Sequence, residues 1–370
     1  MSICQSQDVL PAIPVTDASI CRHDIQEQLR VMKGPIQWSI YITNRCNMHC
    51  DHCFNRSGIL QRNELSDQEV RRIICQIVEQ KPFGVCICGG EPLLREQLVY
   101  ECINILKTAG VLVNIVSNGY LINFKRAYSL ANSGVEIVQI SVDGATDSSH
   151  DRLRNMKGAH QKALDAIKNL IKVGIKVAVA FTPTRYNITE FKKLCGLLYN
   201  YGVQHIRVQP IMPIGNLLDK NSEILPTEAQ YRFLVSMIQE FQVNNKYPGL
   251  QIIWGDPVDH LVRFPTEYPS PLYFGEITAE GFLGISSYLG LFFGTLHRHT
   301  IDEYWEAGFK NAWEMDITKN MASQVRCIND LGKTQPHVYY DKPIIIDLID
   351  DTPEKIKEIT KKFIESQSAS

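Results

Sequence analysis

The sequence predicts an α/β protein, with six parallel strands curved into a partial, open (β/α)6 barrel and a small α+β extension behind it. Three observations carry this expectation. Short apolar runs of strand character alternate with longer segments at helical spacing. Glycines close several of those helices just before the next strand. Beyond Ile211 the alternation stops and shorter, aromatic-rich runs take over.

The strands are expected at Gln37–Thr43, Gly84–Cys88, Val111–Ser117, Val135–Val142, Lys176–Phe181 and His205–Ile211. The helices between them are expected at Asp67–Gln80, Arg95–Ala109, Phe124–Asn132, His160–Val173 and Glu190–Tyr201, with Gly110, Gly134, Gly174 and Gly202 as left-handed caps. Ser66, with Glu69 three residues on, fits a capping box. Six units fall short of the eight in a closed barrel, so the barrel is open, and its functional residues belong at the C-terminal strand ends.

After Ile211 come a loop, a helix over Thr227–Asn244, a short strand at Gln251–Trp254 and small hairpins within Tyr273–Phe293. A helix at Ile301–Asn311, a strand at Lys342–Leu348 and an amphipathic helix at Pro353–Ser366 complete the pattern. The implied organisation is an N-terminal extension over 1–34 with one short helix near Ile25–Val31, a barrel over 35–216, an extension over 217–350, and a terminal helix and tail over 351–370.

A formal net charge of −2 gives no global basic field to recruit nucleic acid or anionic lipid. No apolar run approaches the roughly twenty residues of a membrane span. Met1–Leu10 is polar and does not read as a secretory signal. Eleven cysteines without such a signal point to a reducing, cytoplasmic setting, where clustered thiols bind metal or react.

Three of them, Cys46, Cys50 and Cys53, follow the first strand with the spacing C-x3-C-x2-C. Three thiolates can hold three irons of a cubane cluster and leave the fourth iron open to a ligand. The competing reading is a zinc knot completed by His49 or His52. Zinc sites usually carry a second ligand pair on a longer arm, and none follows here, which favours the cluster. Cys4, Cys21, Cys75, Cys86, Cys88, Cys102, Cys195 and Cys327 are dispersed, most of them in apolar stretches where cysteine acts as a small hydrophobe. Trp254, Trp305 and Trp313 read as core, and His297 and His299 as a solvated turn.

The segment Ile40–Phe54 resembles the signature of the radical S-adenosylmethionine (SAM) superfamily, in particular the branch with a Thr-Asn-Arg-Cys-Asn phrase after the first strand. Gly89-Gly90-Glu91-Pro92 is similar to the Gly-Gly-Glu-Pro motif of that family, which implies that its backbone and Glu91 receive the amino group of SAM. Ser117-Asn118-Gly119 resembles the polar turn near the SAM ribose. Ser141-Val142-Asp143-Gly144 resembles Ser-x-Asp-Gly, with Ser141 facing ribose or carboxylate. The phrase His150–Arg154 implies that Arg154 pairs with the SAM carboxylate. Pro183–Arg185 and Gln209–Pro213, Met212 included, end the last two strands and are expected against adenine and substrate. The resemblance covers about residues 36–216.

That resemblance implies one [4Fe-4S] cluster on Cys46, Cys50 and Cys53, SAM as the second cofactor, and an external one-electron reductant of the flavodoxin or ferredoxin type. Reductive cleavage of SAM would yield a 5′-deoxyadenosyl radical that takes a hydrogen atom from the substrate. Phe274–Leu283, Gly294 and Ile301–Trp305 resemble the frame of a SPASM domain. The first cysteine of that frame would fall in Gly284–Tyr288, which has none, and Cys327 alone follows Cys195, so no auxiliary cluster is expected. Cys327 admits three readings: core residue, hydrogen-atom donor to a substrate radical, or incidental surface. The leading expectation is radical modification of a ribosomally made peptide by epimerisation, cross-linking or oxidation. A small-molecule enzyme acting on a sugar, aminocyclitol or nucleotide is the alternative. A zinc-stabilised binding module without catalysis is the third.

Overall fold

The computed structural model describes residues 32–58, 63–219, 222–267, 270–331 and 343–368. The expected helix near Ile25–Val31 lies outside them. Eleven strands form one sheet: β1 Gln37–Tyr41, β2 Gly84–Cys88, β3 Leu112–Ser117, β4 Ile137–Ser141, β5 Lys176–Phe181, β6 His205–Val208, β7 Gln251–Trp254, β8 Phe274–Ile277, β9 Phe282–Gly284, β10 Leu291–Thr295 and β11 Ile344–Ile345. Their spatial order is β11-β10-β9-β8-β1-β2-β3-β4-β5-β6-β7.

β1 to β6 lie side by side, all parallel, with the expected helices between them. Residues pointing outward, such as Val85, Ile87, Val113, Ile115, Val138, Ile140, Val179 and Ile206, are buried under the helices. The alternating residues point into the barrel and are small or polar: Cys86, Cys88, Gln139, Ala178 and Ala180 are only partly buried. The lumen is therefore a cavity rather than the packed side-chain layers that fill a closed barrel. Gly110, Gly134, Gly174 and Gly202 all have left-handed backbone, and Ser66 and Glu69 make the capping box.

The segment beyond residue 216 adds to this sheet at both flanks. β7 pairs in parallel with β6, and β8 pairs in parallel with β1. β9 and β10 continue from β8 as antiparallel hairpins. The junction is tight: a Cβ on Gly275 of β8 would stand 2.4 Å from the Trp38 ring of β1. Trp38 is buried and donates from Nε1 to Gln80 Oε1 at 3.1 Å.

Other differences from expectation have local causes. Asp147–Arg154 is helical although its sequence is almost wholly polar, and Pro257–Glu267 is helical despite Pro265. The helix expected over Ile301–Asn311 stops at Glu306; Gly308, at φ +117°, turns the chain into a 3-10 segment over Phe309–Glu314. The strand expected over Lys342–Leu348 contracts to Ile344–Ile345. Trp305 and Trp313 are core residues, while Trp254 is half-buried.

Candidate functional site: a thiol-lined cavity at the strand ends

The loop after β1 crosses the C-terminal ends of the neighbouring strands and is pinned from three sides. Gly90 N donates to Thr43 O at 2.7 Å and Glu91 N to Arg45 O at 2.9 Å. A Cβ at Gly90 would lie 2.2 Å from Arg45 O, and one at Gly89 would lie 2.4 Å from Thr43 O. The paired glycines thus let two backbones touch, which no side chain permits. Asp51 N donates to Leu153 O at 2.9 Å, and Asn216 Nδ2 to Cys50 O at 2.7 Å.

The three thiols face one cavity of about 300 Å³. Arg154 Nη1 lies 3.8 Å from Cys50 Sγ, Asn118 Nδ2 3.9 Å from Cys46 Sγ, and Ser57 N 3.4 Å from Cys53 Sγ. Burial pushes Cys46 up to about 11 and Cys50 up to about 12, with the neighbouring thiols raising both further. As bare groups they stay protonated, and a bound metal centre supplies the positive charge that makes such thiols thiolate ligands. Among the described residues, His299, Asp347 and Asp350 are the set whose ligand atoms gather within 4.8 Å, as around a single ion; the three thiols are more widely spread. Zinc draws four ligands close at Zn–S distances near ~2.3 Å, so the thiol spread suits the wider span of a cubane cluster. Asn55, buried to 3 % exposure, also lines the cavity with an unpartnered Oδ1. Cys46, Cys50 and Cys53 would hold a [4Fe-4S] cluster, with the remaining cavity open to SAM.

Behind the thiols lies a buried, ion-paired polar network. Arg154 donates from Nε to Asp143 Oδ2 at 2.7 Å and contacts the same oxygen through Nη2 at 2.7 Å. Asp143 Oδ1 accepts from Thr182 N at 2.8 Å, and Asp143 N donates to His150 Nδ1 at 3.0 Å. Burial opposes the Asp143 charge, yet Arg154, then His52 and His150, hold its carboxyl below the usual range. Burial first, then Arg154, lowers His150 to about 3.

Gly89, Gly90, Ser117, Asn118, Ser141, Arg154 and Met212 line the cavity as the sequence suggested. Two predicted SAM contacts do not. Glu91 is fully buried behind the wall, where its carboxylate accepts from Ser117 Oγ at 2.9 Å, Asn118 N at 2.9 Å and Leu93 N at 3.2 Å. Burial pushes its pKa up to about 7 against those hydrogen bonds. Glu91 is a brace between the ends of β2 and β3, and Pro92 begins the short turn behind it. Arg154 lines the cavity, but its main partner is Asp143.

Of the three readings of Cys327, its position agrees with the surface one. It is exposed and faces a separate groove with Tyr231, Arg232 and Gln239, so it is neither a core residue nor part of the cavity wall. Cys86 and Cys88 face the lumen but do not line the cavity. His297 and His299 sit at the surface beside Glu69 and Asp350.

Of the far wall, the sequence reading named Gln209 but not Arg207, Ser287 or Tyr288. The wall is built from Arg207 and Gln209 around the end of β6 and from Ser287 and Tyr288 between β9 and β10. Arg207 and Gln139 did leave a signal: polar side chains at lumen-facing positions of otherwise apolar strands. Ser287 and Tyr288 stand where a SPASM frame would carry its first cysteine. Among the described residues no helix is long and apolar enough to cross a membrane.

The radical SAM superfamily model matches residues 40–198. The mycofactocin maturase MftC of Mycolicibacterium smegmatis is 30% identical over 64% of this chain and 58% of its own length. The PqqA peptide cyclase of Rhizobium meliloti is 25% identical over 62% of this chain and 61% of its own. The AdoMet-dependent heme synthase of Methanosarcina barkeri is 30% identical over 57% and 59%. The chain thus spans about 60% of the length of these curated relatives. SuiB of Streptococcus suis bound to SAM superposes with a TM-score of 0.66 at 15% identity, covering 88% of this chain and 79% of that one. The enzyme anSMEcpe with bound AdoMet gives a TM-score of 0.60 at 15% identity, covering 90% and 99%. The match runs through the thiol loop, and the fold places that loop above a parallel barrel: residues 40–198 are similar to the radical SAM superfamily.

Proposed function

We propose that this protein is a radical SAM enzyme that modifies a ribosomally made peptide. The observation that carries the first part is the convergence of three thiols, one buried and two half-buried, on one cavity, with an amide and a guanidinium beside their sulfurs. When bound, the cluster supplies one electron to the SAM sulfonium, which gives methionine and a 5′-deoxyadenosyl radical. Cys46, Cys50 and Cys53 hold it, and Asn118 and Arg154 place N–H groups next to two of the sulfurs. The Gly89–Gly90 backbone, Ser117 and Ser141 offer polar contacts to the methionine and ribose. Met212 and Ile211 close the apolar side against water.

The peptide assignment is supported by relatives that are a maturase and a peptide cyclase. A small-molecule substrate is the second reading, favoured by the heme synthase among the relatives. In either case the reading includes a flavodoxin- or ferredoxin-type reductant and a cytoplasmic setting. It takes the barrel over 35–216 and the extension over 217–350 as one working unit, followed by the terminal helix and tail over 351–370.

Anaerobic reconstitution tests the core of this reading. The protein should bind about four irons per chain and, with dithionite and SAM, release 5′-deoxyadenosine. Replacing Cys46, Cys50 and Cys53 together with alanine should abolish both. A colourless protein with one zinc, or undiminished 5′-deoxyadenosine from the alanine variant, would refute it. Co-expression with short precursor peptides, read by peptide mass, tests the substrate class.

A further inference from the structure

We propose that Arg207, Gln209 and Tyr288 form a receptor for a carboxylate on the substrate. The inference rests on the cavity being the SAM site and deepens that reading. Arg207 points from β6 into the cavity, yet among the described residues no carboxylate lies within the 4.0 Å of an ion pair. Gln209 Nε2 is buried and has no acceptor. The Tyr288 hydroxyl hydrogen-bonds with the side chains of both, and burial keeps that phenol protonated. Arg207, exposed to the cavity and without a carboxylate, and Gln209 Nε2, buried without an acceptor, thus flank the Tyr288 hydroxyl on one patch of wall.

The backbone makes room for this arrangement. Gly255 follows β7, and a Cβ there would stand 2.7 Å from Arg207 Nε, 2.8 Å from Gln209 Oε1 and 3.1 Å from Arg207 Nη2. The nearby acid, Glu276, is not the missing partner: its carboxylate is held by the hydroxyls of Ser287 and Tyr41. Nor would the SAM carboxylate need this patch, because Arg154 lies beside Cys50 at the thiol end, where the cluster would be held. A guanidinium fork beside an amide N–H and a phenol matches the two oxygens of a carboxylate, and a neutral amide returns only part of that bonding.

Two sources carry such a group: an acidic side chain within a peptide, or a small carboxylic acid. Equilibrium dialysis of the anaerobic holoprotein with SAM present distinguishes them. The probes are N-acetyl-glutamate N-methylamide, its glutamine counterpart, glutarate and inorganic phosphate. The capped glutamate should bind about tenfold more tightly than the capped glutamine, a difference of about 1.4 kcal/mol. Capped glutamate above glutarate assigns a peptide side chain, and the reverse assigns a small acid; both support the receptor. Arg207→Gln should lower the ratio of glutamate to SAM affinity about tenfold, and Gly255→Ala should lower it in the same direction. Equal binding of glutamate and glutamine, tighter binding of phosphate, or an Arg207→Gln variant that loses SAM affinity as much as glutamate affinity would overturn the proposal. Wild-type protein that fails to cleave SAM refutes the enzymatic reading instead, since dialysis reports the carboxylate without turnover.

Discussion

At the thiol end of the cavity, Asp143 receives Arg154, Thr182 N–H and the approach of His52, while Glu91 receives Ser117 and two backbone N–H groups. At the opposite wall, Arg207 has no carboxylate and Gln209 Nε2 has no acceptor. Both regions are polar, yet the buried acids of the one find their donors within the fold, while the exposed guanidinium of the other has no acid. A buried group left unmatched costs stability; Gln209 Nε2 carries that cost at the far wall, as His52 Nδ1, Asn55 Oδ1 and His150 Nε2 do at the thiol end. The ion-paired network holds the thiol loop in place. The far wall keeps donors in reserve for a ligand that comes and goes.

The comparison can be broken by measuring what each side contributes to stability. Asp143→Ala should cost about 3–5 kcal/mol in urea unfolding, because it leaves the Arg154 guanidinium buried without its partner. A loss below about 1 kcal/mol would mean that the network is solvated and not buried.

Next in size is a pH effect from behind the far wall. His260 is buried among Phe264, Phe274, Tyr288 and Trp313, and burial lowers its pKa to about 4. Its folded pKa lies below the unfolded value, so the unfolded state binds the extra proton between the two. Its contribution is complete above about pH 6.5 and is lost as pH falls toward 4, by up to about 3 kcal/mol. Unfolding curves between pH 7 and 4 should show this loss, and His260→Phe should reduce it. An unchanged acid slope in that variant would place the titrating group elsewhere.

A smaller effect belongs to the helix facing the outside of the barrel. Ser66→Ala removes the side chain that accepts from Glu69 N and should cost about 1 kcal/mol in thermal or urea unfolding. The smallest is the sharpest contrast: Gln209→Leu should leave stability unchanged or raise it by about 1 kcal/mol, since it removes a donor that the free protein does not satisfy. A loss of several kcal/mol would show that Gln209 belongs to a closed network after all.

The first half of the fold was legible because its physics is local. A parallel strand buried under helices reads as a short apolar run, and each helix end is marked by a glycine that adopts left-handed backbone. The thiol loop was legible for the same reason, since Cys46, Cys50 and Cys53 are close in the chain. What remained hidden depends on distant partners. β8 looks like one arm of a hairpin, and its other edge finds β1 more than 200 residues earlier. Glu91 follows two glycines, which suggested a ligand contact; only the arrival of Ser117 and Asn118 behind it shows a brace. The helix Asp147–Arg154 was missed because its polar sequence carries little apolar periodicity, although Leu153 and Arg154 are buried.

The seating of Trp38 against Gly275 has a consequence for the life of the chain on the ribosome. The second neighbour of β1 is synthesised only some 230 residues after β1 itself. Through that interval an apolar edge with a large indole waits uncovered beside three reactive sulfurs. A nascent chain in that state is a natural client for a chaperone, and metal loading is best timed after the last wall arrives.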